Sequence, residues 1–80
     1  MAGARIEILV EPFKENQPGP HVHAVVNALS DHGLDPDMGP FATTAAGDVA
    51  AVADAVRAAI MDGVAAGATA LQFRVEASGG

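Results

Sequence analysis

The chain has eighty residues, no cysteine, and ten acidic against four basic side chains, for a net charge of −6. That length limits it to one domain with a thin core. The missing cysteines exclude disulfides, thiolate metal sites and thiol redox chemistry, and the negative field disfavours nucleic acid. No apolar run approaches the ~20 residues of a bilayer span, and residues 1–5 lack a signal-peptide pattern, so the expected setting is cytoplasmic and away from membranes. A core of this size supplies only ~3–5 kcal/mol, so oligomerisation, as a homodimer or homotetramer, is the expected reinforcement.

Along the chain, Arg5 to Glu11 alternates, with Ile6, Ile8 and Val10 on one face and Arg5, Glu7, Leu9 and Glu11 on the other, the mark of a half-buried strand. Pro12 stops it. A polar loop ends in Pro18-Gly19-Pro20, and a helix follows whose stripe is Val22, Val25, Val26 and Leu29, with Gly33 placed as its left-handed C-terminal residue. Residues 34–39 contain Pro36 and suit only a short edge strand. Residues 41–46 return as a third strand. Asp48 then caps a second helix with the stripe Val49, Val52, Val56, Ile60 and Val64, in which Gly63 marks fraying and which Gly67 ends. The last strand is 70–76, with Leu71, Phe73 and Val75 opposite Gln72, Arg74 and Glu76.

The order strand, helix, strand, strand, helix, strand predicts an α+β, ferredoxin-like βαββαβ domain over residues 1–80, with 1–4 and 77–80 as loose termini. Right-handed crossovers place both helices on one face of a four-stranded antiparallel sheet and leave the other face open. Glu7, Leu9, Glu11, Gln72 and Arg74 are expected on that open face.

Few patterns carry chemistry. His21 and His23 open a helix about 200° apart, and His32 lies ~16 Å from His21 along it, so the three do not build a metal site. Asp31, Asp35, Asp37 and Asp48 lack the spacing of a calcium loop and read as cap and turn acids. There is no phosphate loop, dinucleotide fingerprint or nucleophile elbow. Residues 12–20 hold no Arg for an acylphosphatase-like phosphate site, neither the first nor the last strand offers the open face the stacking aromatics of an RNA-recognition domain, and no Cys pair serves a metallochaperone. Small-molecule binding, regulation or assembly remain, with no enzyme activity, no metal and no cofactor expected.

Three segments carry a resemblance. Glu7-Ile8-Leu9-Val10-Glu11-Pro12 forms a strand ending in Pro, Gly33-Leu34 closes the first helix, and Gly39-Pro40-Phe41-Ala42-Thr43 is followed by Gly47. In this order the chain resembles the YkoF-like thiamine-binding proteins across residues 5–76, although Phe41-Ala42 stands where that family has Met-Gly. The resemblance implies paired domains with open sheet faces packed together and a nearby pocket for thiamine or its hydroxymethylpyrimidine half. Glu11 and Glu7 are the expected partners of the thiazolium cation; the alternative is that Arg5 and Arg74 neutralise them. Phe41 and Phe13 are the candidate stacking rings, and His21 lies beside the same loop. Thr43 and Thr44 point to opposite faces; Thr43 matches the family's Thr and is the expected hydroxyl. The expected function is non-enzymatic binding of thiamine or a related aminopyrimidine. The other reading is a protein–protein interaction or oligomerisation module without a small-molecule ligand.

Overall fold

The computed structural model describes residues 2–12 and 19–78. Six elements follow in the expected order: β1 (Gly3–Glu11), α1 (Pro20–Asp31), β2 (Asp37–Met38), β3 (Thr43–Asp48), α2 (Val49–Ala65) and β4 (Ala70–Ser78). The strands form one sheet in the order β2-β3-β1-β4, antiparallel at every junction, which is the ferredoxin-like arrangement. β1 and β4 are longer than expected. They pair through all nine residues, from Gly3 against Ser78 to Glu11 against Ala70, so residues 3–4 and 77–78, expected as loose ends, belong to the sheet. β3 starts two residues later than expected and runs directly into α2 at Asp48.

β1 is central, and its alternation sorts the two faces of the sheet. Ala4, Ile6, Ile8 and Val10 are buried and join Val25, Ala28 and Leu29 of α1 and Val52, Ala55 and Ala59 of α2 in one cluster. Ile6, Ile8, Leu29, Val25 and Val52 are its largest fully buried side chains. Each contributes roughly 1.5–3 kcal/mol relative to exposure.

The second helix departs from expectation. Its buried seam is Val52, Ala55, Ala59 and Gly63, whereas Val49, Ile60 and Val64 stay exposed and Val56 is only partly covered. Both stripes have helical spacing, so periodicity alone does not choose between them. Close approach does. A Cβ on Gly63 would sit 3.1 Å from Val25 Cγ2 and 3.5 Å from Leu71 Cδ2, so the small-residue stripe lets α2 settle against α1 and β4 where branched side chains would hold it off. Gly63 is therefore a packing contact and not a point of fraying.

Both helices end in the same way. The Leu34 N–H donates to the Leu29 carbonyl and the Gly33 N–H to that of Ser30; Ala68 donates to Gly63 and Gly67 to Val64. These are Schellman pairs, and Gly33 (φ 81°) and Gly67 (φ 108°) occupy the left-handed position each requires. At the other end of α2, Asp48 sits at the N-cap, but its carboxylate makes no capping hydrogen bond. The Val49 N–H instead donates to the Ala2 carbonyl at 3.0 Å, which satisfies part of the first turn from the backbone beside β1.

A stability test separates these two helix ends. Gly67→Ala meets no atom within 4 Å, so its penalty is the backbone strain alone, ~1–2 kcal/mol. Asp48→Ala removes no capping bond and is expected to cost less than ~0.5 kcal/mol. Urea denaturation of both variants measures the difference, and an Asp48→Ala loss as large as that of Gly67→Ala would contradict the cap geometry.

Candidate functional site

Residues directly opposite one another across a sheet share a face, so the register assigns the open face row by row. One row reads Asp37, Thr44, Glu7, Arg74, and the next reads Ala46, Arg5, Glu76. In the other direction lie Leu9 with Gln72, then Glu11 with Ala70. Glu7, Leu9, Glu11 and Thr44 are half-buried, whereas Arg5, Arg74 and Glu76 are exposed.

The register corrects the threonine assignment. Thr43 pairs with Ile8 and is only 3% exposed on the helix side, so it does not share a surface with Glu11. Thr44, opposite Glu7, is the threonine on the open face. The sequence Thr-Thr-Ala-Ala has no alternation of its own, and only pairing with β1 decides which threonine faces in.

The charges also sort differently from the simple neutralisation of Glu7 and Glu11. Both arginines of this face turn to Glu76: Arg5 Nη1 lies 3.6 Å and Arg74 Nε 3.5 Å from Glu76 Oε1. Among the described residues, neither Glu7 nor Glu11 makes an ion pair. Among the described residues, two half-buried carboxylates are thus left on a face whose arginines are held by Glu76. They do not converge, because four residues of strand separate them by ~13 Å, with Leu9 between.

Of the remaining expected residues, Phe41 and His21 lie toward the Glu11 end of the sheet. Phe41 precedes β3 by two residues and is 64% exposed in the turn from β2, where the antiparallel register carries it to the end at which β1 finishes. His21, in the first turn of α1, donates from Nε2 to the Pro12 carbonyl at 2.7 Å, which ties the helix start to the exit of β1. The Thr69 N–H donates to the Glu11 carbonyl at 2.8 Å and holds the same corner from the other side. Phe13 lies outside the described residues. His32 is remote; its Nδ1 donates to the Ala28 carbonyl at the end of α1. Among the described residues no three His, Asp or Glu side chains come together to hold a metal ion. No helix is long and apolar enough to cross a membrane.

Solved structures share this arrangement. A DUF77 domain from Bacillus cereus matches with a TM-score of 0.68 at 19% identity, over 95% of this chain and 74% of its own. A hypothetical protein from Methanocaldococcus jannascii matches with a TM-score of 0.66 at 13% identity, over 98% of this chain and 78% of its own. A Thermotoga maritima protein, provisionally assigned to thiamine biosynthesis or salvage, matches with a TM-score of 0.57 at 18% identity, over 98% of this chain and 84% of its own. The likeness is one of fold. No protein-family model and no curated protein matches the sequence significantly.

The charge pattern yields a further test. Glu76→Gln releases both arginines, yet exposed pairs contribute little, so the expected stability change is below ~1 kcal/mol. Thermal denaturation showing a larger loss would mean that the Arg5–Glu76–Arg74 group holds β4 on β1, and does not merely order the charges.

Proposed function

We propose that the open face binds a thiamine-type ligand or its aminopyrimidine half, along β1 from the Glu7–Thr44 row to Glu11, without performing chemistry on it. The observation that carries this reading is the pair of half-buried carboxylates left without a cationic partner among the described residues, on a face whose arginines are held by Glu76. A cation is the complement of such a surface. A carboxylate ~4 Å from thiazolium feels ~4 kcal/mol of raw attraction at an effective dielectric of 20, before desolvation is subtracted.

The spacing favours an elongated two-ring ligand over a compact cation. Leu9 lies between the carboxylates and offers an apolar floor for a ring, with the Gln72 amide beside it. Thr44 supplies a hydroxyl next to Glu7 that can donate to a pyrimidine nitrogen or accept from its amino group. Phe41, toward the Glu11 end, is the candidate aromatic for stacking on the outer ring. The fold shared with the provisionally assigned Thermotoga protein supports the same ligand class.

Calorimetric titration with thiamine and with hydroxymethylpyrimidine tests this. Glu11→Gln keeps shape and hydrogen bonding but removes the charge, so thiamine binding is expected to weaken by about 1 kcal/mol, roughly fivefold, while the neutral pyrimidine changes less. Thr44→Val is expected to weaken both ligands by ~1 kcal/mol, and Thr43→Val to leave the intrinsic affinities unchanged. Equal loss of both ligands in Glu11→Gln would remove the electrostatic role, and unchanged binding in Glu11→Gln and Thr44→Val alike would exclude the open face.

A further inference from the structure

The two edges of the sheet are unlike. β2 is two residues long and lies between Pro36 and Gly39, a blunt edge that offers little to pair with. β4 is nine residues long, contains no Pro, keeps unbroken register with β1, and among the described residues nothing pairs with its outer backbone edge. Its helix-side residues are Leu71, Phe73, Val75 and Ala77, and Val75 is 51% exposed although its neighbour Ile6 is fully buried. The sheet thus extends beyond the cover that α2 provides.

α2 presents a matching surface. Ile60 is 43% and Val64 57% exposed, and with Val49 and the partly covered Val56 they line one flank of the helix. Ala51 and Ala58, partly buried, line the other flank of the seam. In a right-handed helix joined by a right-handed β3–α2–β4 crossover, the Ala51/Ala58 flank turns toward α1 and the Val49/Ile60/Val64 flank overhangs β4. An apolar helix flank and an apolar strand face therefore meet at one open edge.

We propose that this edge is the docking surface for a second copy of the chain, with the two β4 strands pairing antiparallel about a two-fold axis. The sheet then continues across eight strands, and the exposed flanks of the two α2 helices close over the Val75 and Phe73 side chains. Charge selects both the occupant and the register. With Val75 on the axis, Arg74 of each copy lies opposite Glu76 of the other, giving two cross-strand opposite-charge pairs in addition to the Arg74–Glu76 contact already present within each strand. Placing Arg74 on the axis would set like charges face to face, and placing Phe73 there would leave Glu76 opposite Ala70. The surface is self-complementary in the manner a two-fold interface requires.

Size-exclusion chromatography with light scattering at micromolar concentration tests the proposal. The native chain is expected at twice its mass of 8.0 kDa. The double variant Ile60→Asp/Val64→Asp alters side chains already exposed in the single chain, so it is expected to keep its circular dichroism and run as a monomer. Arg74→Glu and Glu76→Arg are each expected to weaken the dimer, and the combined swap to restore it. The aspartate pair distinguishes this interface from packing through the open face, which Ile60 and Val64 do not reach. Thiamine titration of the monomeric variant tests the ligand reading separately, because Ile60 and Val64 lie on the helix side, away from the proposed site. A monomeric native chain, a dimer untouched by the aspartate pair, or a combined swap no better than its parents would overturn the proposal.

Discussion

The constraint on which the structure depends is that β1 is paired on both sides. A strand flanked by β3 and β4 has its whole backbone committed to the ladder, so its side chains alone decide which face is core and which is surface. Because Ala4, Ile6, Ile8 and Val10 all have one parity, both helices must lie on that side. A slip of one residue would bury Glu7 and Glu11 and expose both isoleucines, which makes the register hard to alter. The same alternation places the candidate ligand residues. Glu7 and Glu11 are on the open face because Ile6, Ile8 and Val10 are not.

Helix packing adds a second constraint. α2 carries more apolar surface than one sheet face can cover, and it settles on its smallest residues. Gly63 lets Val25 and Leu71 approach within van der Waals distance, and Ala55 and Ala59 are fully buried. Close contact along a seam of Ala and Gly gains dispersion at every atom, whereas packing through Ile60 and Val64 would lift the helix away and leave voids beside it. The larger side chains that a single domain would ordinarily bury are displaced to the β4 edge.

What was legible in the sequence follows from which signals are one-sided. The strands β1 and β4 alternate polar with apolar side chains, so their parity, and hence the open-face positions of Glu7, Glu11 and Arg74, could be read directly. Gly33 and Gly67 could be read because a helix end of this kind needs a positive φ that other residues resist. β3 could not be oriented from Thr-Thr-Ala-Ala, since either parity offers one threonine and one alanine to each face; its register comes from β1. The seam of α2 could not be read because two stripes share one period and the choice depends on the shape of α1 and β4. Asp48 was correctly placed at a helix start, but its carboxylate makes no capping bond, and the Val49 N–H instead uses the Ala2 carbonyl, a contact invisible in local sequence. The pairing of Arg5 with Glu76 is likewise a product of register, whereas Arg74 reaches Glu76 as its i, i+2 neighbour on the same face of β4.

Glu76 links the two halves of the functional reading. By holding Arg5 and Arg74 it leaves Glu7 and Glu11, the carboxylates of the proposed site, without an ion pair among the described residues, and it lies on the strand where a second copy would add an opposing Arg74. In a two-fold pair with Val75 on the axis, each Glu76 would face three guanidinium groups, two from its own chain and one from the other. That competition would loosen the hold on Arg5 and Arg74, and the arginine nearest Glu7 is Arg74, directly across the β1–β4 ladder. Association would therefore act on ligand affinity chiefly through Arg74. If the arginine turns outward to the second copy, the negative potential at Glu7 rises and cation binding strengthens; if it falls back on Glu7, binding weakens. By linkage the same free energy acts in reverse: an Arg74 that turns outward on association makes a cation at Glu7 tighten the pair, and one that falls back on Glu7 makes it loosen the pair.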